Sequence, residues 1–257
     1  MTITEWINAA TSKIDRLDTE LILVNLLHVG DRSYLVAHDD EILSSNLLDL
    51  ANAQLERRAA GEPLAYILGW REFYGRRFKV TRSVLIPRPE TETIIDLAKK
   101  AKPTKILDVG TGSGCIAITC ALEMPKASVD AIDISPSALA IAQANAKSLG
   151  AKVNFFKSDL LDDYELEPNT LIIANLPYVD QNWSWINLNT LSFEPGLALY
   201  AEQEGLALIY RLIQSINTSC RLLIEADPSQ HEKIIAFARD FGFKITNQKD
   251  FILSFKK

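Results

Sequence analysis

Two hydrophobic periodicities divide the chain. Near the start, Leu17, Leu21, Val24, Leu27 and His28 recur at three- and four-residue steps, the spacing of one buried helical face. Leu43, Leu47, Leu50, Leu55 and Ala59 predict a further helix, with Ser44, Ser45 or Asn46 able to cap its first turn. Gly61-Glu62-Pro63 ends this helical stretch. The texture then changes. Tyr66-Ile67-Leu68-Gly69 and the run from Glu72 to Val80 gather aromatic and β-branched residues around Gly75, which predicts a β-hairpin.

From Lys105 onward, short apolar runs alternate with helical patterns. Lys105–Val109, Val129–Ile132, Val153–Phe156, Leu171–Ala174 and Leu222–Glu225 predict five strands. Gly112–Glu123 predicts one intervening helix and Ser135–Leu149 another, the second with Ser135 as cap, Pro136 at its first position and Gly150 just past its end. Strands alternating with helices of this length imply an α/β fold, a doubly wound and mostly parallel sheet, here preceded by a small helical domain. The expected organisation is a helical domain over 1–65, a hairpin linker over 66–85 and the α/β domain over 86–257. In such sheets, ligands bind at the carboxyl ends of the strands, near the switch in strand order.

Composition narrows the class. With 257 residues, 47% of them hydrophobic, the chain can bury a substantial core. The longest apolar stretch, Leu21–Val29, is too short to span a bilayer, and Met1–Ala10 has Glu5 but no Lys or Arg to begin a secretory signal. Three cysteines, Cys115, Cys120 and Cys220, are odd in number and lie among apolar residues, so neither a disulfide framework nor a zinc site is expected. His28, His38 and His231 have no ligand spacing, so no metal is expected either. The reading is cytoplasmic. The net charge of −6 and pI near 5.2 argue against direct nucleic-acid binding, which draws much of its affinity from cations on phosphates. The basic clusters Arg57-Arg58 and Arg71 to Lys79 are short and read as solvated surface.

The strongest local signal is Asp108-Val109-Gly110-Thr111-Gly112-Ser113-Gly114, which follows the first sheet strand and opens a helix. Its glycines permit a tight turn and a close backbone approach to a ligand, with helix N–H groups beyond. A dinucleotide fingerprint would place glycine where this chain has Cys115. The Gly-x-Gly-x-Gly spacing instead resembles the S-adenosyl-L-methionine loop of Rossmann-like methyltransferases, which implies cofactor contacts for Gly110, Thr111, Gly112, Ser113 and Gly114; the plain alternative is a structural turn. Asp133 ends the second strand, where an acid can accept both ribose hydroxyls; its plain alternative is a charge at a helix start. Asp130 lies three residues earlier but not at the strand end. Ser158-Asp159 follows the third strand, where methyltransferases of this kind commonly contact the adenine, and a surface turn is the alternative for Asp159.

Asn175-Leu176-Pro177-Tyr178 follows the fourth strand and faces the same crevice. An amide or arylamine nitrogen is a weak nucleophile because its lone pair is delocalised. An Asn oxygen and a backbone carbonyl can each accept one N–H, aiming the lone pair and stabilising the positive charge that develops on nitrogen. Tyr178 can pack against the planar group, and no strong base is needed before attack. Asn175, Pro177 and Tyr178 are the candidate catalytic residues, all four residues are candidates for binding substrate, and Asn175 also borders the cofactor. An ordinary Asn-x-Pro turn is the plain alternative. Trp183 and Trp185 either line the substrate mouth or cover the core.

Taken together, the chain resembles the release-factor glutamine methyltransferase family over most of its length. The resemblance rests on Gly61–Gly69, Glu72-Phe73-Tyr74-Gly75, Leu85-Ile86-Pro87-Arg88-Pro89-Glu90-Thr91-Glu92, the glycine loop, and Phe193-Glu194-Pro195 before Ala198-Leu199. The two prolines around Arg88 fix an extended lead into a helix begun by acids, which could border the cofactor site. The resemblance implies a helical domain joined to a Rossmann-like methyltransferase domain. It also implies methylation of the glutamine amide in the Gly-Gly-Gln motif of peptide-chain release factors. Two departures stand out. Leu176 replaces the family's first Pro, giving an Asn-Leu-Pro-Tyr motif like that of ribosomal-RNA adenine dimethyltransferases. Lys249–Leu253 lacks the Gly-Arg expected near the last hairpin. An adenine-N6 methyltransferase acting on RNA or DNA is the competing reading, and a non-catalytic methyltransferase-like module, which would predict erosion of the glycine loop or Asn175, is a third.

Overall fold

A computed structural model describes residues 1–180, 182–183 and 192–257. The chain divides into two compact units, one centred on Met1–Trp70 and the other formed by Arg71–Ile186 and Glu194–Lys257. The first unit contains α1 (Ile3–Ala10), α2 (Arg16–Leu27), α3 (Ser33–Ala37), α4 (Ser45–Ala59) and α5 (Leu64–Leu68). Thr2 and Glu5 cap α1 reciprocally, and Ser44 Oγ accepts the Leu47 N–H at the start of α4. Trp6, Ile22, Leu23, Ala51 and Leu55 meet in its core, and the Trp6 indole N–H donates to Asn52 Oδ1 at 2.9 Å.

The face expected for α2 is displaced. Thr19, Ile22, Leu23 and Val24 are buried, whereas Leu17 is 49% exposed and His28 sits outside the helix as its left-handed cap. Following the leucines selected the wrong stripe, because the buried one carries a threonine whose hydroxyl is satisfied by the Asp15 carbonyl. In α4, Leu50 and Ala59 likewise face solvent while Ala51 and Leu55 are buried.

A hairpin follows, β1 (Trp70–Phe73) and β2 (Arg76–Lys79), with Tyr74 and Gly75 turning at positive φ. Tyr66–Leu68, expected to belong to it, are instead helical and end α5, where Gly69 closes the helix in the left-handed region. Then follow α6 (Glu92–Ala101), β3 (Lys105–Val109), α7 (Cys115–Glu123), β4 (Ser128–Asp133), α8 (Pro136–Leu149), β5 (Asn154–Lys157), β6 (Thr170–Ala174), α9 (Ala207–Ser215), β7 (Cys220–Glu225), α10 (His231–Asp240), β8 (Lys244–Lys249) and β9 (Ile252–Lys256). The seven strands run in the order β5-β4-β3-β6-β7-β9-β8, parallel except that β9 is antiparallel to both of its neighbours.

Period-two alternation sends Leu107, Val109, Ile172 and Leu222 to one face, under α9 and α10. Ile106, Leu171, Ile173 and Leu223 go to the other face, under α6 and α7. Both faces are covered, so the central strands read as unbroken apolar runs. Ser135 caps α8 through the Ala138 N–H, with Pro136 at the first position and Gly150 closing the helix at φ 68°, as the sequence predicts. α7 begins three residues later than predicted, at Cys115, because Gly112 and Gly114 hold positive φ that no helix admits. The chain leaves β3 toward β4 and β5 and later returns to β3's other side as β6, so the order reverses between β3 and β6. That reversal fixes where a ligand crevice opens. Among the described residues, no helix is long and apolar enough to cross a membrane.

Candidate active site

At the carboxyl ends of β3, β4 and β6 lies a cavity of ≈ 570 Å³. Its walls include Gly110, Thr111, Gly112 and Ser113 after β3, Asp133 at the end of β4, Ser158 and Asp159 after β5, and Asn175, Leu176 and Pro177 after β6. The sequence assigned all of these to one site. Gly114 and Tyr178 are not among the lining residues.

Two of these contacts explain how the glycine loop is shaped. Gly112 N–H donates to Asp133 Oδ2 at 2.8 Å, and Ser135 N–H donates to Asp133 Oδ1 at 2.9 Å. The acid thus ties the first two strand ends together and still has lone pairs to offer. Burial pushes its pKa up from the ordinary carboxylate value, against the backbone N–H groups that pull it down. A Cβ on Gly110 would come within 2.9 Å of Leu176 Cδ2, at φ 74°. Leu176, only 4% exposed, therefore packs over the glycine loop.

Beneath the loop, Asp108 is fully buried. Its Oδ2 accepts from Thr111 Oγ1 at 2.6 Å and from Ala117 N–H at 3.1 Å, while Oδ1 has no hydrogen-bond partner. Burial pushes its pKa up to about 7. Asp130, three residues before Asp133, is committed elsewhere. Tyr164 Oη donates to it at 2.6 Å and Asn154 Nδ2 at 2.8 Å, and it does not border the cavity. Asp159 accepts from Arg211 at 3.2 Å across the cavity mouth. Tyr178 turns away: its hydroxyl donates to Glu225 Oε1 at 3.3 Å, and its carbonyl accepts from Gln230 Nε2 at 2.7 Å. Trp183 is half-buried and outside the lining, and Trp185 lies outside the described residues.

A further stretch of wall comes from Arg88 and Thr91, in the extended Arg88-Pro89 lead and the turn that follows it. Arg88 Nη2 donates to the buried Glu194 carboxylate at 2.5 Å, and Glu194 Oε2 accepts the Ile86 N–H at 3.1 Å. Glu194 is thereby pinned to the Arg88 segment.

Comparison with known proteins gives this arrangement its family. A model described as the PrmC N-terminal domain matches residues 3–69, and one described as a methyltransferase small domain matches residues 90–191. A release factor glutamine methyltransferase from Koribacter versatilis is 42% identical over 218 residues, covering 82% of this chain and 77% of that one. Another from Vibrio cholerae is 36% identical over 265 residues, covering 96% and 90%. The chain belongs to the release factor glutamine methyltransferase family. The methyltransferase fold also aligns with the hMettl16 catalytic domain solved in complex with MAT2A 3'UTR hairpin 1, at a TM-score of 0.57 and 14% identity over 83% of this chain and 80% of that one.

A methyltransferase of this family uses S-adenosyl-L-methionine, and the cavity fits such a group. The glycines clear a wall that a Cβ would fill at Gly110, and Asp133 presents a carboxylate as a ribose hydroxyl requires. Beneath the loop, the buried Asp108 carboxyl accepts from Thr111 Oγ1 and the Ala117 N–H and so holds the loop open against the start of α7.

Sequence reasoning missed Gln230 and above all Glu225 as parts of the site, and it marked the segments that carry Thr91 and Glu194 without giving either residue a role. Glu225 had a signal: a carboxylate ending an otherwise apolar predicted strand. Thr91 and Glu194 lay in segments the family resemblance had marked, whereas Gln230 had no signal, because it reaches Tyr178 through a contact distant in sequence.

Proposed function

We propose that this enzyme methylates the side-chain amide nitrogen of the glutamine in the Gly-Gly-Gln motif of peptide-chain release factors. The observation that carries the reading is Asn175, at the carboxyl end of β6, lining the same cavity as the glycine loop and Asp133. The names of the relatives and the acidic net charge support a protein substrate.

In this reading Gly110 to Ser113 would cradle the methionine part of the cofactor, with Gly114 packed against Ile118 and Ala142 outside the cavity. Asp133 would accept the ribose hydroxyls and Asp159 would lie at the adenine. When bound, the cofactor supplies a methyl group carried on positively charged sulfur. Asn175 Oδ1 accepts one N–H of the substrate amide and the Leu176 carbonyl accepts the other. The two acceptors turn the nitrogen lone pair toward the methyl and stabilise the charge that grows on nitrogen. Pro177 fixes φ and stiffens the loop. Tyr178 packs behind it; burial and the nearby Glu225 push its phenol pKa up, so at neutral pH it is a neutral donor and not a base. The nitrogen loses its proton to water after the methyl arrives, when it has become acidic.

The competing reading, adenine-N6 methylation of RNA or DNA, rests on Leu176. One experiment separates them: labelled adenosylmethionine is offered with purified release factor or with ribosomal RNA. Label in the release factor alone is the expected result, and label confined to the RNA overturns the proposal.

Leu176 also yields a prediction. The backbone carbonyl is present whatever the side chain, so Leu176→Pro keeps the acceptor while removing apolar packing over Gly110. The rate on release factor is expected to stay within about tenfold of the parent rate. A switch of label to RNA in either protein contradicts the assignment.

A further inference from the structure

Behind Asn175 lies a buried polar cluster in which Thr91 borders the cavity and Glu225 lies outside its lining. Asn175 Nδ2 donates to Thr91 Oγ1 at 3.1 Å. Thr91 is 1% exposed and Glu225, at the end of β7, is equally buried. Glu225 Oε1 accepts from Tyr178 Oη at 3.3 Å, while its Oε2 is buried without a partner. The side chains of Thr91, Tyr178 and Asn175 all approach the carboxylate closely enough to favour its charged form.

A primary amide can face its surroundings two ways, and the neighbours decide which. On the inner side of Asn175 stand a hydroxyl oxygen and a carboxylate. An NH2 turned inward meets two acceptors there. An oxygen turned inward would sit against the negative charge of Glu225, with only the Thr91 hydroxyl to bond it. We propose that Glu225 and Thr91 are positioning residues that lock the Asn175 amide with its NH2 inward and its oxygen toward the substrate. The inference rests on the reading of Asn175 as the amide acceptor. Both act through Asn175: Glu225 lies outside the cavity lining, and the Thr91 hydroxyl oxygen is engaged by the Asn175 NH2.

A carboxylate left buried with one unpartnered oxygen is a poor structural choice, since burial without full pairing destabilises the fold. Its retention is explained if its charge holds Asn175. Burial pushes Glu225 up to about 7. Beyond its hydrogen-bonding neighbours, the groups that act on it or on Tyr178 are Glu90 in the turn after Arg88, Cys115 at the start of α7, Arg88, and Asp227 after β7. Above pH 7 the carboxylate is an acceptor and the lock holds. Below it, the neutral acid carries a hydrogen that competes for Thr91 and Asn175, and the amide loses its fixed orientation.

The test uses the full chain with release factor and adenosylmethionine. Thr91→Val and Glu225→Gln are nearly isosteric. Each is expected to lower kcat about tenfold with cofactor Kd unchanged. Thr91→Ser, which restores the hydroxyl, should return to the parent rate. In the parent, kcat should fall as pH drops through about 7, and in Glu225→Gln that acid limb should vanish. At pH 8, Glu225→Gln should melt no lower than the parent, because it removes a buried charge. Parent rates in both Thr91→Val and Glu225→Gln overturn the lock. So does a loss of rate matched by equal losses of melting temperature and cofactor affinity, which marks a merely structural role. Asn175→Ala run alongside separates the two levels of the argument: if it is inactive while the other variants are normal, only the lock fails, and if it turns over at the parent rate, the reading of the site fails with it.

Discussion

Asn175→Ala is expected to fold, to bind cofactor within a few-fold of the parent and to lose on the order of a hundredfold or more in single-turnover rate, about 2.7 kcal/mol of transition-state stabilisation. The expectation follows from placement. Asn175 is the first residue beyond β6, a strand whose five residues are all buried, so its backbone is held by a rigid support. Behind it, Thr91 and Glu225 occupy the NH2 side of the amide. The oxygen is therefore aimed before substrate arrives, and its hydrogen bond strengthens as positive charge grows on the substrate nitrogen. An interaction that strengthens only then lowers the barrier without tightening substrate binding, so kcat should fall and KM should change little. Asn175→Asp is the informative companion. It keeps an acceptor but places a second carboxylate beside the buried Glu225, and the repulsion should favour a protonated acid in place of the fixed amide. A normal single-turnover rate in Asn175→Ala would remove the residue from catalysis.

The parts of this site legible in the sequence share one property: each is local. The glycine loop announces itself because three glycines follow an apolar run and precede a helix, and the need for positive φ at Gly110, Gly112 and Gly114 leaves few alternatives. Asp133 and Asn175 are legible because a strand end in an alternating α/β pattern must lie at the crevice. Thr91 and Glu225 are not legible in this way. Thr91 reaches Asn175 across 84 positions of sequence and Tyr178 reaches Glu225 across 47. Only the strand order places β7 beside β6, and periodicity does not carry strand order. The displaced face of α2 failed for a different reason. Tertiary packing chose Thr19 over Leu17, and a hydroxyl that bonds its own helix backbone can be buried at little cost. The last hairpin, β8 and β9, was expected only through the family resemblance and not from periodicity, because every residue of β8 is exposed and the strand has no apolar alternation to show.

Asp133→Ala is expected to weaken cofactor binding ten- to a hundredfold, the equivalent of roughly 1.5–3 kcal/mol for a hydrogen bond to a charged acceptor. The carboxylate has two duties, and the size of the loss depends on both. It accepts the Gly112 and Ser135 N–H groups, which sets the shape of the glycine loop and the start of α8. In the proposed role it also accepts the ribose hydroxyls. Asp133→Asn separates the two, because the amide keeps one oxygen for the loop and gives up the charge and the second acceptor. Its loss in affinity should lie between those of the parent and Asp133→Ala. The sign of the pH dependence follows from burial, which raises the Asp133 pKa above the usual carboxylate value. As pH falls through that raised value, Asp133 takes up a proton and cofactor affinity should fall with it, while Asp133→Asn should show no such loss. Calorimetric titration of the three proteins from pH 8 downward makes the comparison. Unchanged affinity in Asp133→Ala would exclude the residue from the cofactor site. If Asp133→Asn bound like the parent at every pH, the charge would be irrelevant and the carboxylate would serve the loop alone.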